Sequence, residues 1–295
     1  MTQPGADELP GLLAQIAGEQ DAEEADREAH GSEPARRRGR AAYARLLARL
    51  APALAVSARG AGAAAVASGR WLADVIIDAA PHIPIRDLEK LKAHHGGRTG
   101  EELADALVRT ATVATSSVGV AGGALSAVKW AVPVSLLTIP IQLTVEVVAV
   151  AAIEIKLVGE LHEVYGLPVR GTLGQRGSAY ALAWANRRGI NPLDPHSLSA
   201  AMGSVTRQRV QRRLIGRAGR GLGTAAPLMA GAVFGAYSNQ RQTGLLADSL
   251  RADLRRKRAL TGGLTGRVVA RALESGTPGR RPRLPRALRR SGPKS

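Results

Sequence analysis

The chain has 295 residues, a formal net charge of +17 and no cysteine. The absence of cysteine excludes a disulfide scaffold, a thiolate metal site and a cysteine nucleophile. Aromatic residues make up only 3% of the chain, and a mean hydropathy of -0.06 argues against a polytopic transporter. The first residues are acidic and lack the basic start and apolar run of a secretory signal, so we expect a protein that begins in the cytoplasm.

Charge is segregated along the chain. Residues 1–35 contain nine acids and one base, whereas residues 255–295 contain thirteen bases and one acid. Segments with few apolar residues and a single sign of charge are typical of disorder. The sequence therefore predicts an acidic disordered tail over residues 1–40, a helical domain over 41–260 and an Arg/Pro-rich disordered tail over 261–295.

Between the tails, apolar residues recur at three- and four-residue steps in an alanine-rich sequence, which is a helical pattern. In chain order, this pattern predicts helices at 43–58, 71–80, 85–97, 99–117, 131–166, 178–189, 196–220, 223–239 and 243–260. No strand-like alternation stands out between turn residues. The predicted fold is therefore all-α, a helical bundle with one long central apolar helix and a glycine-rich helix.

The longest apolar run covers residues 131–153 and contains a single charge, Glu146. A run of this length can cross the roughly 30 Å hydrocarbon core of a bilayer, and lysine and aromatic residues flank it as they flank spanning helices. Against a span, a carboxylate within the bilayer costs about 2.5 kcal/mol or more, and Pro133 and Pro140 interrupt the run. Three alternatives follow: a transmembrane span, a re-entrant hairpin that breaks at Pro140, and the buried helix of a soluble bundle.

Pairs of glycines at four-residue spacing occur twice. Gly231 and Gly235 form one pair, and Gly119 and Gly123 form the other. Such spacing lets two helix backbones approach closely, in lipid or in a soluble core. We expect Gly231 and Gly235 to be helix-packing residues, with both environments open.

Motifs for catalysis are incomplete. His162 and Glu163 begin an HExxH-like string, but Gly166 stands where the second zinc-binding histidine is required. Ser126 and Lys129 fit an SxxK spacing without its partner strings. No Walker A, dinucleotide-binding or GxSxG sequence occurs. The sequence therefore assigns no catalytic residue, no metal ligand and no cofactor.

Glu146 is the candidate buried functional carboxylate. A carboxylate on so apolar a helix should be paired, protonated or functional, because burial of an unpaired charge is costly. The candidate partners are Gln142, one turn earlier on the helix, and an arginine from another helix. The alternative is a buried carboxylate with a purely structural role.

Two basic segments are the candidate contacts for anionic lipid or for a protein partner, since clustered cations attract anionic surfaces. Their residues are Arg207, Arg209, Arg212, Arg213, Arg217 and Arg220 in the first, and Arg255, Arg256, Lys257 and Arg258 in the second. Nucleic acid is disfavoured because aromatic stacking platforms are nearly absent and no binding motif for it is evident.

Two stretches share a recognisable order of features. Residues 136–166 read LLTIPIQLTVEVVAVAAIEIKLVGELHEVYG, and residues 227–255 read PLMAGAVFGAYSNQRQTGLLADSLRADLR. Together they resemble the EcsC protein family of bacteria over roughly residues 100–255. The resemblance implies a helical fold and a membrane neighbourhood, because the family's namesake is encoded beside an ABC transporter. It implies no catalytic residues.

The sequence favours a non-enzymatic helical protein at the cytoplasmic face of a bacterial membrane, near a transporter or envelope machinery. The first alternative is a soluble, cytoplasmic interaction protein that binds a partner through its charged tails. The second alternative is an enzyme that uses Glu146, His162 or both.

Overall fold

The computed structural model describes residues 7–129, 138–190 and 226–275, and its secondary structure over them is helical without a strand. The all-α fold class is therefore confirmed. The helices are α1 (Leu9–His30), α2 (Ser32–Ala61), α3 (Ala63–Ser68), α4 (Arg70–Ala79), α5 (Leu88–His94), α6 (Gly100–Lys129), α7 (Thr138–Val164), α8 (Leu173–Arg187) and α9 (Ala226–Ser275), with a 3-10 turn at Ala80–His82 after α4.

Side-chain caps and a glycine fix several of these helix ends. Asp87 begins α5 by accepting a hydrogen bond from the backbone N–H of Lys90 at 2.9 Å. Thr172 begins α8 with a reciprocal capping box to Gln175, which satisfies two backbone N–H groups at once. Gly31 separates α1 from α2 with φ of +84°, a left-handed conformation that favours glycine.

The apolar run of α7 lies inside the bundle over its described side chains. This helix packs against α1, α2, α4, α5, α6 and α8. Between Thr144 and Val164, most of its apolar side chains are buried in the hydrophobic core, including Val148, Ala149, Ile153 and Val158. Residues 131–137 lie outside the described chain, so a single uninterrupted apolar helix over the whole run stays a prediction.

The predicted disorder of residues 1–40 is wrong from Leu9 onward. Helix α1 has 22 residues, and α2 begins at Ser32. The reason is a short apolar stripe at helical spacing, which the strong acidity of the segment obscures. Its side chains are fully or almost fully buried against the core: Leu9, Leu12, Leu13, Ile16 and Ala17.

The C-terminal boundary also differs from the prediction. Helix α9 has 50 residues and continues through residues 261–275, which the sequence assigned to a disordered tail. Residues 276–295 lie outside the described chain. The chain divides into two compact units, residues 1–255 and residues 256–295.

Among the described residues, no helix combines the length and the apolar character needed to cross a membrane. Over residues 144–153, the alternative of a buried core helix is the one that agrees with the observed packing. The first part of the apolar run, with Pro133, falls outside the described chain, and the side chain of Pro140 is likewise not described.

Candidate functional site

In the first two helices, α1 and α2, most acidic side chains face the protein and most arginines face solvent. Helix α1 carries six acids and one arginine, and α2 carries seven arginines and one glutamate. Of the six acids, only Glu28 is fully exposed, whereas Glu23 and Glu24 are buried. Most of the arginines of α2 are exposed. The acidic segment therefore turns its carboxylates toward the protein, while the basic helix faces solvent.

One of these acids completes a four-residue ionic network at the core. Lys156 of α7 is fully buried and contacts both Glu160, one turn later, and Asp21 of α1, the latter at 3.2 Å. Arg86 donates to both oxygens of Glu160, at 2.8 and 3.1 Å, and lies 3.1 Å from Asp21. Two cations thus face two carboxylates, which is the arrangement in which buried charges are tolerated.

The pKa values of the two carboxylates of this network move in opposite directions. Burial alone disfavours the charged form of Glu160, but Lys156 and Arg86 outweigh it and hold the pKa of Glu160 below its ordinary value. For Asp21 the desolvation dominates, and its pKa is raised. The network therefore fixes Glu160 as a carboxylate between the two cations.

Glu23 lies on the same helix without such partners. Its side chain is 3% exposed, and neither carboxylate oxygen has a hydrogen-bond partner among the described residues. Burial raises its pKa to about 7, against its ordinary value of 4.5. It presses against Gly39 of α2, where an added Cβ would lie 2.6 Å from the Glu23 carboxyl carbon. The glycine provides the space that this carboxyl group occupies.

The outer face of α2 is a row of arginines. We define the α2 arginine row as Arg37, Arg38, Arg45, Arg49 and Arg59. All five are exposed and lie on the side of the helix opposite its buried residues. Arg38 bonds to Asp26 of α1, and Arg37 lies 3.6 Å from Glu33. The row was missed in the sequence because Arg37 and Arg38 fall in the segment assigned to the acidic tail, while Arg45, Arg49 and Arg59 are single arginines among apolar residues.

Glu146, the predicted buried carboxylate, accepts a hydrogen bond from the side-chain amide of Asn239 on α9 at 3.0 Å. The same amide donates to the backbone carbonyl of Thr115 on α6 at 3.2 Å. Asn239 is therefore one partner of Glu146 and reaches both helices from one position, and the arginine partner stays a prediction. The side chain of Gln142 lies outside the described chain. The bonds favour the structural reading, in which Glu146 joins α6, α7 and α9.

A second carboxylate on α7, Glu154, accepts hydrogen bonds from three different side chains. It is completely buried and accepts from the indole N–H of Trp184 at 2.7 Å and from the hydroxyl of Thr243 at 2.8 Å. Arg188, at the end of α8, donates to both of its oxygens. The position of Glu154, two turns after Glu146, was the signal that could have identified it.

The exposed carboxylate of Glu101 binds three side chains, two of which lie near the end of the first unit. Glu101, in the first turn of α6, accepts two hydrogen bonds from Arg255, at 2.6 and 2.9 Å, and one from Arg251 at 2.7 Å. The hydroxyl of Tyr165 donates to it at 2.9 Å. The bonds from Arg255, together with those from Arg251 and Tyr165, lower the pKa of Glu101 to about 2. Arg255 therefore has an internal partner, and its contact with anionic lipid or a protein partner stays a prediction.

The remaining basic candidates have different positions. Arg256, Lys257 and Arg258 are exposed in the second unit. Arg207, Arg209, Arg212, Arg213, Arg217 and Arg220 lie outside the described residues, so their proposed role is untested.

His162 and Glu163 have local structural contacts. The Nδ1 atom of His162 lies 2.7 Å from the backbone carbonyl of Val158, and Glu163 forms an ion pair of 2.5 Å with Arg176. His162 follows Glu146 by sixteen residues on α7, a separation of roughly 24 Å along a helix, so the two cannot act on one small substrate. In the described part of the chain, no three His, Asp or Glu side chains form a group suited to a metal ion.

Glycine packing joins α6 to α9. A Cβ added to Gly119 would lie 2.6 Å from the backbone carbonyl carbon of Gly235, so these two helices meet backbone to backbone. Gly235 therefore packs against the other helix with Gly119 as its partner. Gly231 lies in α9, but its surroundings, like those of Gly123, are outside the description.

A cavity of about 250 Å³ opens to solvent between α8 and α9, lined by Arg187, Arg188, Gln242, Leu245, Leu246 and Ser249. Both arginines have internal carboxylate partners. Arg187 bonds to Asp253 at 2.7 Å, and Arg188 bonds to Glu154 and to Gln242. Because these partners already compensate the charge, the cavity is a weak candidate for an anion.

Comparisons with protein-family models, with curated proteins and with solved structures found no match to this chain. The resemblance to the EcsC family therefore stays a prediction from the residues quoted above.

Proposed function

We propose that this is a non-enzymatic helical protein that attaches peripherally to the anionic, cytoplasmic face of a bacterial membrane. The observation that carries the proposal is the exposed run Arg256, Lys257 and Arg258, which lies in a stretch without acids from Arg255 to Leu273. Each cation near an anionic membrane surface contributes roughly 1 kcal/mol of attraction. A run of three is therefore enough for measurable, salt-sensitive binding.

The internal bonding of the polar core supports a binding role over catalysis. Glu146 is engaged by Asn239, Glu154 by Trp184, Thr243 and Arg188, and His162 lies beside a backbone carbonyl. Groups with such bonds stabilise the bundle. The likeness in sequence to the EcsC family adds the expectation of a neighbouring transporter or other envelope protein.

Peripheral attachment is favoured over insertion because residues 144–153 of the apolar run pack inside the bundle. A protein held by charge should leave the membrane at high salt. At 0.1 M salt the dissolved ions already screen exposed charges that are more than about 10 Å apart, and this distance shortens as salt is added. An inserted helix should resist both salt and alkali.

The test is co-sedimentation of the full chain with vesicles that contain phosphatidylglycerol, compared with vesicles of phosphatidylcholine alone. We expect binding to the anionic vesicles only, with release at high salt. The variant Arg256→Gln/Lys257→Gln/Arg258→Gln should bind more weakly. The matched control is Lys90→Gln/Arg98→Gln/Arg170→Gln, which removes the same charge from other exposed positions.

Two results would reject the proposal. One is equal binding to both vesicle types, and the other is an equal loss of binding in the two variants. Absence from the vesicle pellet would favour the alternative of a soluble protein that binds a partner through its charged segments.

A further inference from the structure

We propose that the α2 arginine row is a second docking surface for the same anionic membrane, independent of the basic run at residues 256–258. This inference rests on the proposed function. The row belongs to the first unit of the chain and directly follows its most acidic segment, residues 1–35. Its evidence is the placement of the five guanidinium groups and of the acids beside them.

The row extends along most of the length of α2. Its positions recur on one side of α2, and the distance from Arg37 to Arg59 is roughly 33 Å at 1.5 Å per residue. The exposed residues between them are small, such as Ala41, Ala48 and Pro52. Long arginine side chains therefore project beyond their neighbours, which suits a flat, repeating array of phosphates better than a single small ligand.

Three members of the row bond to neutral groups. The Nε atoms of Arg45 and Arg59 donate to the carbonyl oxygens of Ala41 and Ala55 in their own helix, at 3.3 and 3.1 Å. Arg49 donates to the side-chain oxygen of Gln15 on α1 at 3.3 Å. Because a neutral acceptor leaves the charge uncompensated, these arginines keep their attraction for an anionic surface.

Most of the acids of α1 are turned away from the outer face, and the exposed acids of the two helices are Glu28 and Glu33. Glu23 is buried, Asp21 belongs to the network with Lys156, and Asp26 bonds to Arg38. Glu19 is half-buried and its pKa is raised by desolvation, against the attraction of Arg45. The pair of helices thus presents more positive charge to solvent than its composition suggests.

A membrane is a better match than a nucleic acid. Bases bind proteins by stacking on aromatic side chains, and the aromatic residue of α2, Tyr43, is fully buried. A duplex would still find the phosphate-binding arginines, so binding of duplex DNA is one outcome of the test.

The experiment compares three full-length variants that each lose three positive charges. The α2 variant is Arg45→Gln/Arg49→Gln/Arg59→Gln, and the other two are the 256–258 variant and the exposed control described above. Partition onto phosphatidylglycerol vesicles is measured at low salt. The α2 variant should partition about 100-fold less than the wild type, because each cation contributes about fivefold. The control should fall by less than about fivefold.

A charge-preserving variant, Arg45→Lys/Arg49→Lys/Arg59→Lys, removes the arginine bonds to neighbouring groups and keeps the charge. It should bind vesicles almost as the wild type does. If both α2 variants lose binding equally, damage to the helix explains the loss and the inference is overturned.

The outcomes separate this inference from the proposed function. If the α2 variant behaves like the control while the 256–258 variant loses binding, the row has no docking role and the proposed function stands. If the wild type ignores anionic vesicles, both fail. If the α2 variant loses affinity for duplex DNA and keeps its affinity for vesicles, the partner is a polynucleotide and the inference is wrong.

Discussion

Glu154 and Glu23 are both buried carboxylates in helices of the same unit, but their surroundings are opposite. Glu154 accepts hydrogen bonds from an indole, a hydroxyl and a guanidinium that belong to α8 and α9. Within the described part of the chain, neither oxygen of Glu23 has a hydrogen-bond partner, and the carboxyl group faces the bare backbone of Gly39. Burial is therefore offset by hydrogen-bond partners at Glu154, whereas at Glu23 the charges of nearby arginines offset it only in part.

This difference predicts which of the two sites tolerates substitution of its carboxylate. Removal of a satisfied buried carboxylate leaves its donors without acceptors, whereas removal of an unsatisfied one relieves a desolvation cost. The contacts of Glu154 with its donors from α8 and α9 should accordingly be rigid and intolerant of substitution. The contact of α1 with α2 at Glu23 should be adjustable, and its stability should depend on pH.

The largest expected effect is that of Glu154→Leu. The change leaves the indole of Trp184, the hydroxyl of Thr243 and the guanidinium of Arg188 without their acceptor, and it should lower the free energy of unfolding by about 3–5 kcal/mol. The matched substitution Glu23→Leu should be neutral or stabilising at pH 8. Urea unfolding of both variants measures the difference. Equal destabilisation by the two changes would contradict the comparison.

The next effect concerns pH. Because the pKa of Glu23 is about 7 in the folded protein and near 4.5 when unfolded, the folded state holds the proton more tightly. The contribution of Glu23 to the free energy of unfolding therefore does not change with pH below about 4.5. As the pH rises from there to about 7, up to about 3 kcal/mol of stability is lost.

Urea unfolding between pH 4.5 and 8 should show this loss in the wild type, and Glu23→Gln should reduce it. The exposed Glu28→Gln, on the same helix, is the control and should keep the wild-type slope. An unchanged slope in Glu23→Gln would show that Glu23 titrates as an ordinary carboxyl group.

A smaller effect is expected at the glycine that faces Glu23. Gly39→Ala places a methyl group against the carboxyl and should cost about 1–3 kcal/mol, as overpacking does. In a Glu23→Ala background the same change should become favourable by up to about 1 kcal/mol, since alanine is the better helix former.

The control for this cycle is Gly60→Ala, because an added Cβ at Gly60 of the same helix meets nothing within 4 Å. The four unfolding energies of the Gly39 and Glu23 cycle measure the coupling. If the cost of Gly39→Ala is the same in both backgrounds, the two residues do not compete for space.

The smallest effect is expected at the surface. Glu33 and Arg37 form an exposed pair at 3.6 Å. Glu33→Gln should change the free energy of unfolding by less than about 0.5 kcal/mol, because solvent and salt screen such pairs. A loss above about 1 kcal/mol in urea unfolding would mean that surface charge also stabilises α2.

The sequence was sufficient for the fold class, because alanine-rich helices with apolar steps leave few alternatives. It was insufficient at the N-terminus, where the count of acids outweighed five apolar positions that lie at helical spacing. It drew attention to Glu146 as the one charge in an apolar run. Its partner Asn239 lies 93 residues away, and only the packing of α7 against α9 decides which polar residue reaches it.

The pair formed by Asp21 and Lys156 has a consequence for biosynthesis. The two residues are 135 positions apart. At roughly 5–20 residues per second, a ribosome needs about 7–27 s to supply the lysine after the aspartate. During that interval α1 has neither its ionic partner nor the apolar surface of α7 that covers it. Helix α1 is thus made before α7 but completed only after it, and until then its apolar stripe is open to chaperones and proteases on the nascent chain.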